Sequence, residues 1–120
     1  MTITFGELIR STRTQRDYSQ RQLAKLICMD FTYLSKLENN RADYPPKEDV
    51  IRALARELHL DAEELIFLSG RVPRSNEDLL RQHYKMMPTL FRRLREDPTF
   101  AGQILTLAAA AVEAAPNSCE

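Results

Sequence analysis

Phe31, Thr32, Ser35 and Lys36 fall at steps that leave their side chains along one outward flank of a helix. Their chemistry suits the floor of a nucleic-acid groove. Lysine donates to the O6 and N7 of guanine, while threonine bonds a base edge or packs on a thymine methyl. Thr32 and Lys36, one turn apart, are the leading base-reading candidates, with Phe31 and Ser35 beside them. Phe31 has two readings, contact with thymine methyls or packing against a neighbouring helix. Tyr33 and Ser35 also suit a phosphate contact or a structural role.

Two helices must position those side chains. Asp30 is placed to cap the helix that carries them, from about Phe31 to Glu38, with Leu34 and Leu37 turned inward. Just before it, Ser19 and Gln22 have capping-box spacing, and Leu23, Ala24 and Ile27 supply a buried stripe. Two short helices joined by a tight corner usually set the second in the major groove of duplex DNA.

Further helices surround this pair. The first runs from Phe5 to about Thr14 and turns Phe5, Leu8, Ile9 and Thr12 inward, and Tyr18 packs under the connector that follows. Pro45 and Pro46 close a loop and forbid helix before about Lys47. The fourth helix then reaches Leu58 with Val50, Ile51, Leu54 and Leu58 on one face. Asp61 and Glu64 mark the start of a fifth, and Gly70 its stop. Residues 71–75 read as a linker. A helix follows over about 76–87, Pro88 starts another, and Asp97-Pro98 opens a last one that runs to about Ala114. The expected fold is all-α.

Composition agrees with a small helical protein. Of 120 residues, 43 % are apolar, enough for a modest core, and three glycines without alternating runs argue against sheet. The formal net charge is zero, but it is segregated. Residues 1–41 hold seven basic against four acidic residues, residues 42–70 three against seven, and residues 71–95 seven against two. Attraction to phosphate depends on the local face rather than on the sum. Cys28 and Cys119 form no metal or redox motif, His59 and His83 have no catalytic neighbours, and no glycine-rich phosphate loop is present. An enzyme, a cofactor and a metal site are therefore not expected. The N-terminus lacks signal-peptide character and the alanine-rich stretch is too short to span a membrane, so a cytoplasmic protein is expected.

From Phe5 to Leu68 the chain resembles the lambda-repressor-like (Xre/Cro) helix-turn-helix regulators. The resemblance is carried by Ser19-Gln20, Leu23-Ala24, the run Tyr33 to Glu38, Pro46, and Asp61 to Leu65 after a Leu-His-Leu step. It implies a five-helix DNA-binding domain over residues 1–70, followed by about three further helices in residues 71–120. It also implies double-stranded DNA as partner, with Gln20 on a phosphate and Asn39 and Arg41 gripping the backbone; Arg21 and Tyr33 join them as phosphate candidates. Arg13 and Glu38 match positions that form a mostly buried ion pair in the family. Three residues depart from the pattern. Cys28 and Asn40 stand where glycine is common, and Asp43 puts a negative charge near the DNA backbone.

The helices beyond Gly70 have no counterpart to guide them. One such domain reads few base pairs, whereas two copies about one helical turn apart (~34 Å) read half-sites together. Residues 75–115 are accordingly expected to form a homodimer through Phe91, Leu94, Phe100, Ile104, Leu107 and Ala111, the alternative being that they cap the first core. The expected function is a homodimeric repressor. The alternatives are an antitoxin or adaptor whose residues 75–115 bind another protein, or a controller of a restriction–modification system.

Overall fold

The computed structural model describes the backbone of residues 2–114 and the side chains of residues 2–110. Among the described residues it is wholly helical. Eight α-helices run α1 (Phe5–Gln15), α2 (Gln20–Leu26), α3 (Phe31–Glu38), α4 (Glu48–Leu58), α5 (Ala62–Leu68), α6 (Glu77–Gln82), α7 (Met87–Glu96) and α8 (Pro98–Ala114), with a 3-10 turn at Arg74–Asn76. The chain divides into two compact units, Met1–Glu77 and Asp78–Glu120.

Each helix of the first unit starts for a local reason. Thr4 with Glu7 and Ser19 with Gln22 form reciprocal capping boxes on α1 and α2. Asp30 accepts from the Tyr33 N–H at 3.1 Å, and Asp61 from the Glu64 N–H at 3.0 Å. Lys47, after the two prolines, gives α4 no side-chain cap, and Glu48 and Asp49 in its first turn favour that end instead.

All five helices of this unit also end alike. A residue with positive φ follows each: Asp17, Cys28, Asn40, His59 and Gly70. The next N–H then reaches back five residues, as from Met29 to Ala24 O at 2.8 Å and from Arg41 to Lys36 O at 2.8 Å. This is the Schellman closure, which satisfies carbonyls left open by the last turn. Only one of the five left-handed positions is glycine.

The stripes converge on one core, in which Ile9, Leu23, Leu34, Ile51, Leu54, Leu58, Leu65 and Ile66 are fully buried. Phe5, Leu8, Tyr18, Ile27, Val50 and Leu68 pack partly buried around it. Residues 71–75, read from sequence as a linker, are bound to this unit. Arg71 donates from Nε to Pro46 O at 2.6 Å and from Nη2 to Pro45 O at 3.3 Å. Pro73 is fully buried, and the Arg74 N–H donates to Glu48 Oε1 at 2.8 Å. That bond, with Arg52 adding to it, holds the Glu48 carboxyl below its ordinary value against a smaller opposing effect of burial.

In the second unit α6 ends at Gln82, earlier than the sequence pattern indicated. Pro88 has no N–H for the Tyr84 carbonyl and its ring would collide with it, so a single helix cannot run through. The backbone turns instead, with the Met86 and Met87 N–H groups on His83 O. Asp97 then caps α8 by accepting from the Phe100 N–H at 3.0 Å, and this bond lowers the Asp97 carboxyl, aided by Arg93. No side chain from Asp78 to Ala110 is buried.

Candidate nucleic-acid interface

The back of α3 is held by a buried polar cluster. Leu34, Leu37 and Glu38 are its buried residues. Arg13 donates from Nε to Glu38 Oε2 at 2.6 Å and from Nη2 to Oε1 at 3.0 Å, while its Nη1 reaches Tyr18 O at 2.8 Å. Gln20 completes the cluster, its Nε2 donating to Glu38 Oε1 at 2.9 Å. A carboxylate this buried is tolerable only with its oxygens satisfied, and three donors from α1 and α2 supply that. The cluster therefore fixes α3 against both helices. One amide hydrogen of Gln20 lies outside the bond and suits a phosphate oxygen.

Gly6 brings α1 close to the end of α3. A Cβ there would stand 2.3 Å from Leu37 O, 2.6 Å from Asn40 Oδ1 and 2.9 Å from Glu38 O. Only a residue without a side chain fits.

The front of α3 is open. Thr32 and Lys36 are exposed, Ser35 is half-buried beside them, and no hydrogen bond or ion pair among the described residues engages the Thr32 hydroxyl or the Lys36 ammonium. Phe31 is half-buried, packed on the core at one side and covered by Arg21, whose Cζ lies 4.4 Å from the ring centroid. Asn39 turns back on its own helix, Nδ2 to Ser35 O at 2.8 Å. Arg41 and Asp43 are exposed in the following loop. The first turns of α2 and α3 contain no acid, whereas those of α1, α4 and α5 all do. The α2 end, capped by the neutral Ser19, keeps more of its positive helix-dipole field, whereas the Asp30 carboxylate at the cap of α3 offsets part of it there.

Tyr33 has a partner that the sequence did not reveal. Its ring stacks on Tyr44 with centroids 5.4 Å apart, and its hydroxyl donates to Tyr44 O at 3.2 Å. Burial raises the Tyr33 phenol above its ordinary value, Tyr44 adds to this and Arg71 opposes it. The phenol thus stays a neutral donor near pH 7. The next carbonyls along, of Pro45 and Pro46, are those held by Arg71, so α3, its loop and residue 71 form one bonded series.

A helix-turn-helix family model matches residues 9–65, the span from inside α1 to within α5. Residues 9–65 form a lambda-repressor-like helix-turn-helix domain. The helix-turn-helix match and the fold together support a DNA-binding transcriptional regulator. The chain is also similar to a solved chain described as a SinR protein/SinI protein complex, with 19 % identity over 83 % of this chain and 99 % of that one and a TM-score of 0.49. No curated protein matches the sequence. Among the described residues no helix is long and apolar enough to cross a membrane.

Outside the helix-turn-helix domain, Phe91 is 51 % exposed and Leu107 68 % exposed. Leu94, Phe100 and Ile104 are half-buried, and the Ala111 side chain lies outside the described residues. Sequence reasoning missed Gly6, Tyr44 and Arg71. A glycine in the first turn of a helix was the one available signal for Gly6; Tyr44 and Arg71 carry none, because their partners depend on the loop path.

Proposed function

We propose that the protein is a sequence-specific DNA-binding regulator that works in the cytoplasm as a homodimeric repressor, with α3 in the major groove. The observation that carries this is the asymmetry of α3. Its back is fixed by Arg13, Gln20 and Glu38, while Thr32 and Lys36 stand unpaired on its front. In this reading Thr32, Ser35 and Lys36 meet base edges, and Gln20, Asn39 and Arg41 hold the backbone, with Tyr33 positioned next to it. Pairing of two copies is supported by the second unit, where no described side chain is buried and Phe91 and Leu107 face solvent. Repression rather than activation rests on what the resemblance implies.

Selection of bound sequences from a random duplex pool tests the reading. The expected consensus has two half-sites about one helical turn apart, and binding that weakens steeply with salt. A pool that emerges without any preference would refute it. In parallel, sedimentation should give twice the 13.9 kDa chain mass. Leu107→Glu, at an exposed position, should return the protein to monomer; an unchanged dimer would remove α8 from the interface.

A further inference from the structure

We infer that Phe31 is a positioning residue for Arg21, and that the Arg21 guanidinium, rather than the Phe31 ring, reads a guanine at the leading end of α3. The inference rests on the DNA-reading function proposed above.

Arg21 belongs to the first turn of α2 and Phe31 is the first residue of α3. The guanidinium lies 4.4 Å from the centre of the Phe31 ring, within the range of a cation–π contact. A positive side chain does nothing for the start of its own helix, where the dipole disfavours it. Among the described residues no carboxylate or carbonyl accepts from it. The other well-placed arginines of this unit differ: Arg13, Arg52, Arg71 and Arg74 each hold a carboxylate or a carbonyl.

Stacking sets what such a group can do. A guanidinium laid on an aromatic ring keeps its five N–H donors for in-plane partners, because the ring takes only the π face. The ring is itself anchored, being half-buried and packed on the core, so the contact limits the rotamers of a long side chain. Phe31 thereby carries a donor group rooted in α2 over to the end of α3. In a recognition helix that N-terminal end supplies the base contacts. The planar fork matches guanine O6 and N7, the commonest specific contact in the major groove. The same stack accounts for an aromatic residue at the first exposed position of α3: its ring face is already occupied, which leaves little of it for a thymine methyl.

A double-mutant cycle on the full-length protein tests this. The random duplex pool is selected with the wild type, and binding to the resulting consensus is measured for Arg21→Lys, Phe31→Leu and the double variant. Lysine keeps the charge but not the fork, and leucine keeps apolar bulk on the core but not the platform. Each single variant should lose about tenfold in affinity and relax the same G·C position of the consensus. The double variant should lose no more than either single one, and Arg21→Lys should leave the salt slope unchanged. Additive losses would show that Arg21 acts without Phe31, and a loss equal on consensus and scrambled duplexes would make Arg21 a phosphate contact; either result overturns the inference alone. A wild type that selects no consensus would overturn the DNA reading and this inference with it.

Discussion

Arg13 holds both oxygens of the Glu38 carboxylate, Nε on Oε2 at 2.6 Å and Nη2 on Oε1 at 3.0 Å. The pair joins α1 to the last turn of α3, and the Glu38 side chain is fully shielded while that of Arg13 keeps 13 % of its surface. Arg13→Ala would leave a buried carboxylate with only Gln20 as a side-chain donor. The expected cost is about 3–5 kcal/mol of stability, the range for breaking a buried pair, measurable as a shift in the urea midpoint. A small stability change with a large loss of DNA binding would make Arg13 a phosphate contact instead.

Gly6 tests how closely α1 must approach α3. Alanine has the better helix propensity, which alone would add roughly 0.5–1 kcal/mol. Here its Cβ would meet the Leu37 and Glu38 carbonyls at 2.3 and 2.9 Å, backbone atoms that no rotamer change can move. Overpacking of this kind costs about 1–3 kcal/mol or more, so the steric effect wins. Gly6→Ala should lower the melting temperature and weaken DNA binding together. A rise in melting temperature would show that α1 and α3 separate easily.

Cys28 makes the corner between α2 and α3 at φ 56°, a conformation unfavourable for any residue with a Cβ. The Schellman bonds need that geometry: Cys28 N–H to Lys25 O at 3.2 Å and Met29 N–H to Ala24 O at 2.8 Å. Glycine adopts it without the steric penalty. Cys28→Gly is therefore expected to stabilise the fold by about 1 kcal/mol, after the extra freedom glycine gives the unfolded chain is subtracted. Thermal unfolding checks the sign, and a fall in stability would show that the Cys28 side chain makes contacts worth more than the strain.

What the sequence made legible was local. Ser19 with Gln22, Asp30 and Asp61 announce helix starts because a cap needs only its own first turn. Leu34 and Leu37, or Ile51, Leu54 and Leu58, announce a buried face because helical spacing repeats. The front of α3 followed from the same periodicity. Contacts between distant segments were not legible in this way. The link between Arg13 and Glu38 is not written in any spacing and came with the family resemblance. Arg71 looked like part of a linker because nothing near it in sequence accepts its donors; its acceptors are backbone carbonyls 25 and 26 residues away. Phe31 was ambiguous because its environment depends on Arg21, a residue of another helix.

Acid should loosen the segment 71–76 from α4. The Glu48 carboxyl is held below its ordinary value chiefly by the Arg74 N–H, with Arg52 and the Arg74 charge assisting. A carboxyl lowered by folding contributes stability above its unfolded value and loses it as pH falls through the folded one. The Arg74 amide resonance should accordingly titrate below the ordinary glutamate range, and Glu48→Gln should abolish that step. If the amide titrates in the same way in Glu48→Gln, the bond to Glu48 is not what fixes residue 74.

Lys36 distinguishes reading from mere attraction. Its ammonium stands unpaired on the exposed front of α3, one turn beyond Thr32. A lysine on guanine contributes to one sequence and not to others, whereas a lysine on phosphate contributes to all of them. Lys36→Ala should therefore cost about 1–3 kcal/mol on the selected duplex and relax preference at one or two base pairs, with little change on scrambled DNA. An equal loss on both duplexes, with the salt slope reduced by about one, would assign Lys36 to the backbone. Because the exposed ammonium has no hydrogen-bond or ion-pair partner among the described residues, stability should move little in either case, and any change in binding would report the interface directly.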